Sequence, residues 1–112
     1  MAATYVSNIT INSGEDFSQT FTLESTDSSS PLNLDGYTVT SQMRKHAGSS
    51  TKTDFTTSIV SASNGIIKIV LANTATVNLK AGRYVYDIVI EKDSIKTRVL
   101  EGMVLVRQGV TR

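Results

Sequence analysis

Residues 83–91 read Arg83-Tyr84-Val85-Tyr86-Asp87-Ile88-Val89-Ile90-Glu91. Tyr84, Tyr86, Ile88 and Ile90 recur at alternate positions, so an extended chain puts them on one face and Val85, Asp87, Val89 and Glu91 on the other. Aromatic and β-branched side chains fit a pleated surface, so the run reads as a strand with one core face. Outward from it the same period returns. Phe17, Gln19, Phe21 and Leu23 align on one side of a second strand, and Tyr37, Val39, Ser41 and Met43 on one side of a third. Ile67, Ile69 and Leu71 face away from Ile66, Lys68 and Val70 in a fourth. Segments around Val6 to Ile11, Phe55 to Val60 and Thr97 to Val106 bring the total to about seven.

Turn chemistry fills the gaps. Asn64-Gly65 precedes Ile66, Asp35-Gly36 precedes Tyr37, and Asp93-Ser94 separates the last two strands. Residues 73–79 are the one stretch that suits a short helical turn. Short strands with turns about every 8–12 residues predict an all-β, antiparallel fold, a sandwich in preference to a small barrel.

Composition narrows the function. The chain has 112 residues, 39% of them apolar, which suits a single domain over 1–112 with one core. Lys and Arg number 11 against 10 Asp and Glu, so the strong positive field of a dedicated nucleic-acid binder is missing. Cysteine is absent, which removes disulfides, thiolate metal sites and thiol nucleophiles together. The first residues carry neither the basic start nor the apolar run of a secretory signal, and no stretch is apolar enough for a membrane helix. The expected site of synthesis is a cytoplasm, with no membrane partner. Ser and Thr (14 and 15) gather in loops such as Glu24 to Ser30 and Lys45 to Thr53.

Two resemblances add to this. Leu79-Lys80-Ala81-Gly82-Arg83-Tyr84-Val85-Tyr86 resembles the approach to strand F of an immunoglobulin-type domain, where a small residue permits a tight corner and a tyrosine bonds back to it. Gly82 and Tyr84 take those positions. Tyr86 stands where antibody domains carry their second cysteine, and no tryptophan is available for strand C.

The second runs from about Ile11 to Arg107. It consists of Ser13-Gly14-Glu15-Asp16-Phe17 leading to Thr20-Phe21-Thr22-Leu23, then Leu34 to Val39 and on to Met43-Arg44-Lys45, then Gly82 to Asp87, and finally Thr97 to Gly102. In this order the motifs resemble small immunoglobulin-like virion domains of tailed phages, similar to the N-terminal domain of upper baseplate proteins. The resemblance implies an immunoglobulin-like β-sandwich and a non-enzymatic virion structural protein. Such a protein is an accessory subunit on the outside of the particle, as capsid decoration (cement) or as a tail or baseplate component. Its partners would be capsid or tail and baseplate subunits, met in multiple symmetric copies, with no cofactor. A free-standing chain of this length suits an add-on subunit. The alternative is a host-surface receptor- or carbohydrate-binding module, which would want aromatics in the loops around Ser25 to Pro31 and Lys45 to Thr53. Those loops contain none.

Few residues are candidates for chemistry. His46 is the single histidine and sits beside Arg44 and Lys45. Glu15 and Asp16 are neighbours that an extended chain would point to opposite faces, and they read as turn or capping residues. Glu24, Asp27 and Ser28 offer oxygens but not the regular acidic spacing that a Ca²⁺ site needs. No metal is expected. Arg44, Lys45 and Lys52 form the one basic cluster, a solvated loop or an anchor for an acidic partner surface.

The last strand is apolar on both faces, with Val99, Met103 and Leu105 on one and Leu100, Val104 and Val106 on the other. An even-length turn at Asp93-Ser94 would put Val99, Met103 and Leu105 on the tyrosine face, and a three-residue turn would put Leu100, Val104 and Val106 there. Either way an apolar row is left beside Val85 and Val89. Taken with the even turn, the candidate partner interface is Val85, Val89, Leu100, Val104 and Val106.

Overall fold

The computed structural model describes residues 5–24 and 31–110. The expected loop from Ser25 to Ser30, with Asp27 and Ser28, lies outside them. The strands are β1 (Tyr5–Val6), β2 (Ile9–Asn12), β3 (Phe17–Thr22), β4 (Thr38–Arg44), β5 (Lys52–Asp54), β6 (Thr56–Ser61), β7 (Ile66–Leu71), β8 (Gly82–Lys92) and β9 (Ile95–Arg107). One helical turn, α1 (Asn73–Thr76), precedes β8 where the sequence places it. The nine strands amount to seven extended runs. β1 and β2 keep one register against β9, with Tyr5 opposite Leu100 and Ile9 opposite Val104, and break only at Ser7-Asn8. β5 and β6 are one run interrupted at Phe55, where the chain passes from one sheet to the other.

A long sheet is ordered β1-β9-β8-β4-β5, with β2 also on β9, and a three-stranded sheet is ordered β3-β7-β6. This is an immunoglobulin-like order with the N-terminal strand parallel to the last strand of the long sheet. The sheets meet over one apolar core. Ile11, Met43, Ile88, Ile90, Val104 and Val106 come from the long sheet, and Phe17, Ile67, Ile69 and Leu71 from the other. Phe55 stands at the crossing with ring centroids 5.9 Å from Phe17 and 6.3 Å from Tyr86. Three aromatic rings thus link β3 to β8, in the place where antibody domains use a disulfide against tryptophan.

One end of the sandwich is closed by polar latches. The buried Thr76 hydroxyl donates to the Glu15 carbonyl (2.7 Å) and accepts from the Gly14 N–H (3.1 Å). Asp16 Oδ1 accepts the Asn73 N–H at the start of α1 (2.7 Å). Glu15 and Asp16 are therefore turn and capping residues, as their spacing implies.

Candidate functional site

The β8–β9 hairpin decides which side chains reach solvent. Its turn is the two-residue Asp93-Ser94, both residues in the left-handed region (φ 54° and 66°), and it pairs Lys92 with Ile95. Further along, Ile88 pairs with Leu100 but Val89 with Arg98, so Val99 is an extra residue in β9. This bulge advances the register by one, and Tyr84 faces Val104 rather than Met103. The even turn is present, but the pairing beyond the bulge is that of a three-residue turn. Leu100, Val104 and Val106 are core residues, 3%, 0% and 1% exposed, and not part of an outer interface. Their places on the outer face are taken by Met103 and Leu105, 47% and 44% exposed.

The corner expected from Gly82 and Tyr84 is formed. Gly82 has φ of 143°, and the Tyr84 hydroxyl donates to the Lys80 carbonyl at 2.7 Å. Tyr86 has a role that the sequence did not disclose. It is buried, lies opposite Gly102, and donates its hydroxyl to the Ser7 carbonyl at 2.6 Å. Ser7 N–H donates to the Glu101 carbonyl (2.9 Å), and Asn8 Oδ1 accepts the Met103 N–H (3.0 Å). The break between β1 and β2 is thus pinned onto β8 and β9 by one main-chain bond and two side-chain bonds.

Burial pushes the Tyr86 phenol up from 10.0 to about 12, outweighing the opposing effect of the Ser7 hydroxyl. The fold holds the neutral form, so this contribution is complete below pH 10 and is lost as pH rises through about 12. Tyr86→Phe, which leaves the Ser7 carbonyl without its donor, is expected to cost about 1–2 kcal/mol near neutral pH. It should also flatten the fall in stability between pH 10 and 12, read from denaturant unfolding at stepped pH. An unchanged alkaline slope would remove Tyr86 from this role.

The outer face of the long sheet is built in rows across the strands. Leu105 pairs with Arg83; Met103 with Val85, which pairs onward with Arg44; Glu101 with Asp87, which pairs with Gln42. Val85 and Val89 are half-buried, and Val89 lies between Arg98 and Thr40. Val6, 75% exposed, extends the apolar strip beside Glu101. Arg98 spans the acidic pair, 3.2 Å from Asp87 and 3.8 Å from Glu101, which relieves two like charges set directly opposite. A depression of about 550 Å³ lies here, with Val85 and Met103 beside Arg44, Asp87, Arg98 and Glu101. An apolar strip rimmed by charges of both signs can exclude water at its centre and set orientation at its edge.

The basic cluster is already engaged. Arg44 donates to the Ser49 carbonyl and to Gln42 Oε1 (3.2 Å), Lys45 lies 4.9 Å from the Tyr84 ring centre, and Lys52 pairs with Asp54 at 2.8 Å. The ammonium of Lys52 holds the Asp54 carboxyl below its usual value. His46 is exposed on the adjoining loop. Among the described residues no three His, Cys, Asp or Glu side chains gather as a metal site, and no helix is long and apolar enough to cross a membrane. A second depression of about 690 Å³ at one end of the sandwich is lined by Asn73, Thr74, Asn78, Lys80 and Gln108 among others, with no aromatic residue.

No protein-family model matches the chain, and no curated protein matches its sequence significantly. Solved structures share its fold. The N-terminal domain of phage TP901-1 ORF48 superposes with a TM-score of 0.54 at 11% identity, over 94% of this chain and 98% of that one. Listeria monocytogenes InlP matches with a TM-score of 0.53 at 15% identity over 93% of this chain, which spans 27% of the InlP chain. At such identities the likeness is one of fold: a sandwich that forms one whole phage domain and one part of a longer Listeria protein.

Proposed function

We propose that this chain is a non-enzymatic structural subunit of a tailed-phage particle, docking on the outside of the assembly through the outer face of its long sheet. The observation that carries the reading is the apolar strip on that face, formed by the exposed Met103 and Leu105 with the half-buried Val85 beside them and Val6 at its edge. The solvent face of a small antiparallel sandwich is ordinarily polar, and contiguous apolar surface marks a contact. The phage assignment is supported by the four ordered motifs from Ile11 to Arg107 and by a fold match that covers a phage domain from end to end. The subunit decorates the capsid or belongs to the tail or baseplate, in symmetric copies. No reaction is assigned to it, because its one histidine is on an exposed loop and Asp16 is used as a cap. Receptor or sugar binding is the weaker reading, since the depression at the sandwich end offers no aromatic ring for stacking.

Quantitative mass spectrometry of purified particles tests the proposal. Copies on the order of hundreds per particle are expected for capsid decoration, and on the order of tens or fewer for a tail component. Absence from washed particles would overturn the virion assignment.

A further inference from the structure

Among the described residues the sandwich has four strand edges, and three carry a device that discourages further pairing. β5 is only three residues long and bears the Lys52–Asp54 ion pair. β6 shifts register between Ile59 and Ser61 and is tied to β4 by the Thr57 hydroxyl, which donates to the Val39 carbonyl at 2.7 Å. The N-terminal edge is broken at Ser7-Asn8. β3 has no such device. Phe17-Ser18-Gln19-Thr20-Phe21-Thr22 pairs with β7 without a register shift and holds neither a charged residue nor proline. Its outer side is open because the N-terminal strand, which in the other immunoglobulin arrangement lies beside this one, pairs with β9 instead. Among the described residues no strand pairs with that side.

Both ends of the open edge are acidic and exposed, with Glu15 and Asp16 before it and Glu24 after it. The cation of this sheet, Lys68, lies opposite Thr20, one strand in from the edge. We propose that β3 accepts an added strand from another protein: an extended, uncharged segment of about six residues with basic residues at its ends. Main-chain bonds would supply affinity, and the flanking charges would select the segment and fix its register. A second copy of this chain is a poor occupant, because antiparallel self-pairing centred on Thr20 sets Asp16 against Glu24. The inference stands apart from the virion reading, and a free chain in solution tests it.

Two synthetic peptides with the same six-residue alternating threonine–valine core serve as probes, one with two lysines at each end and the other with two glutamates. The lysine-flanked peptide is expected to slow amide hydrogen exchange in Phe17–Thr22 at least about tenfold, leaving β5 and β6 unchanged. The glutamate-flanked peptide should not do so. In the double variant Glu15→Lys/Glu24→Lys, whose sites are exposed, the preference should invert. The proposal is overturned by no protection of β3, by protection at another edge, by equal effects of the two peptides, or by a free chain already dimeric with β3 protected.

Discussion

Gly102→Ala is expected to cost about 3 kcal/mol and to release the N-terminal strand from the sheet. A Cβ at this position would lie 2.0 Å from the Ser7 carbonyl oxygen and 2.7 Å from its carbon. Both are backbone atoms, and neither is free to move aside. The Ser7 N–H is held by the Glu101 carbonyl, the Ser7 carbonyl by the Tyr86 hydroxyl, and Asn8 by the Met103 N–H. Relief therefore requires the chain at Ser7 to lift, which breaks the tie to Tyr86 and loosens the two short runs on either side, with the buried Ile9 and Ile11. For a domain of this size the melting temperature should fall by about 15 °C. Amide exchange over residues 5–12 should accelerate more than elsewhere. Gly48→Ala is the control, since its Cβ would meet only His46 Nδ1 at 3.8 Å, and a change within about 0.5 kcal/mol is expected. A Gly102→Ala variant as stable as that control would show that the N-terminal strand is not pinned in this way.

The second large effect belongs to the outer face. Val85 and Met103 are direct partners across β8 and β9, and both point away from the core. Met103 is exposed and the half-buried Val85 lies on the solvent side of the sheet, where a lysine stem covers its neighbours and carries its ammonium to water, so Val85→Lys/Met103→Lys is expected to fold with stability changed by no more than about 1 kcal/mol. In a docked state the same two ammonium groups would enter the dry centre of a contact, where an unpaired charge costs several kcal/mol or about that. Affinity for the partner should fall by more than about a hundredfold, or about 3 kcal/mol. Leu100→Ala should behave in the opposite way. Its side chain is 3% exposed, so truncation is expected to cost about 2–5 kcal/mol of folding stability without altering the docking surface. The contrast between the two variants follows from the bulge at Val99.

That bulge also shows where the sequence stops being legible. Alternation is a local signal, and it places the one-sided strand of Tyr84, Tyr86, Ile88 and Ile90 with its corner at Gly82 and Tyr84. The two-residue turn at Asp93-Ser94 is equally local. A bulge adds one residue to one strand and has no composition of its own, yet it exchanges the inner and outer faces of everything beyond it. Val99-Leu100 did carry a signal: two adjacent large apolar residues break the alternation, and both are buried. Gly102 and Tyr86 were beyond reach, because their purpose depends on Ser7, which only the fold brings to them. The interruption at Phe55 is similar. An apolar residue within a strand gives no sign that the chain there changes sheets.

Docking through the outer sheet face is tested most directly by competition during assembly. Wild-type chain and Val85→Lys/Met103→Lys are supplied together in equal amounts, and their copies in purified particles are counted by mass spectrometry. With the melting temperature of the double variant unchanged, its copies are expected below about one hundredth of the wild type. Equal numbers of the two in the same particles would contradict docking through this face.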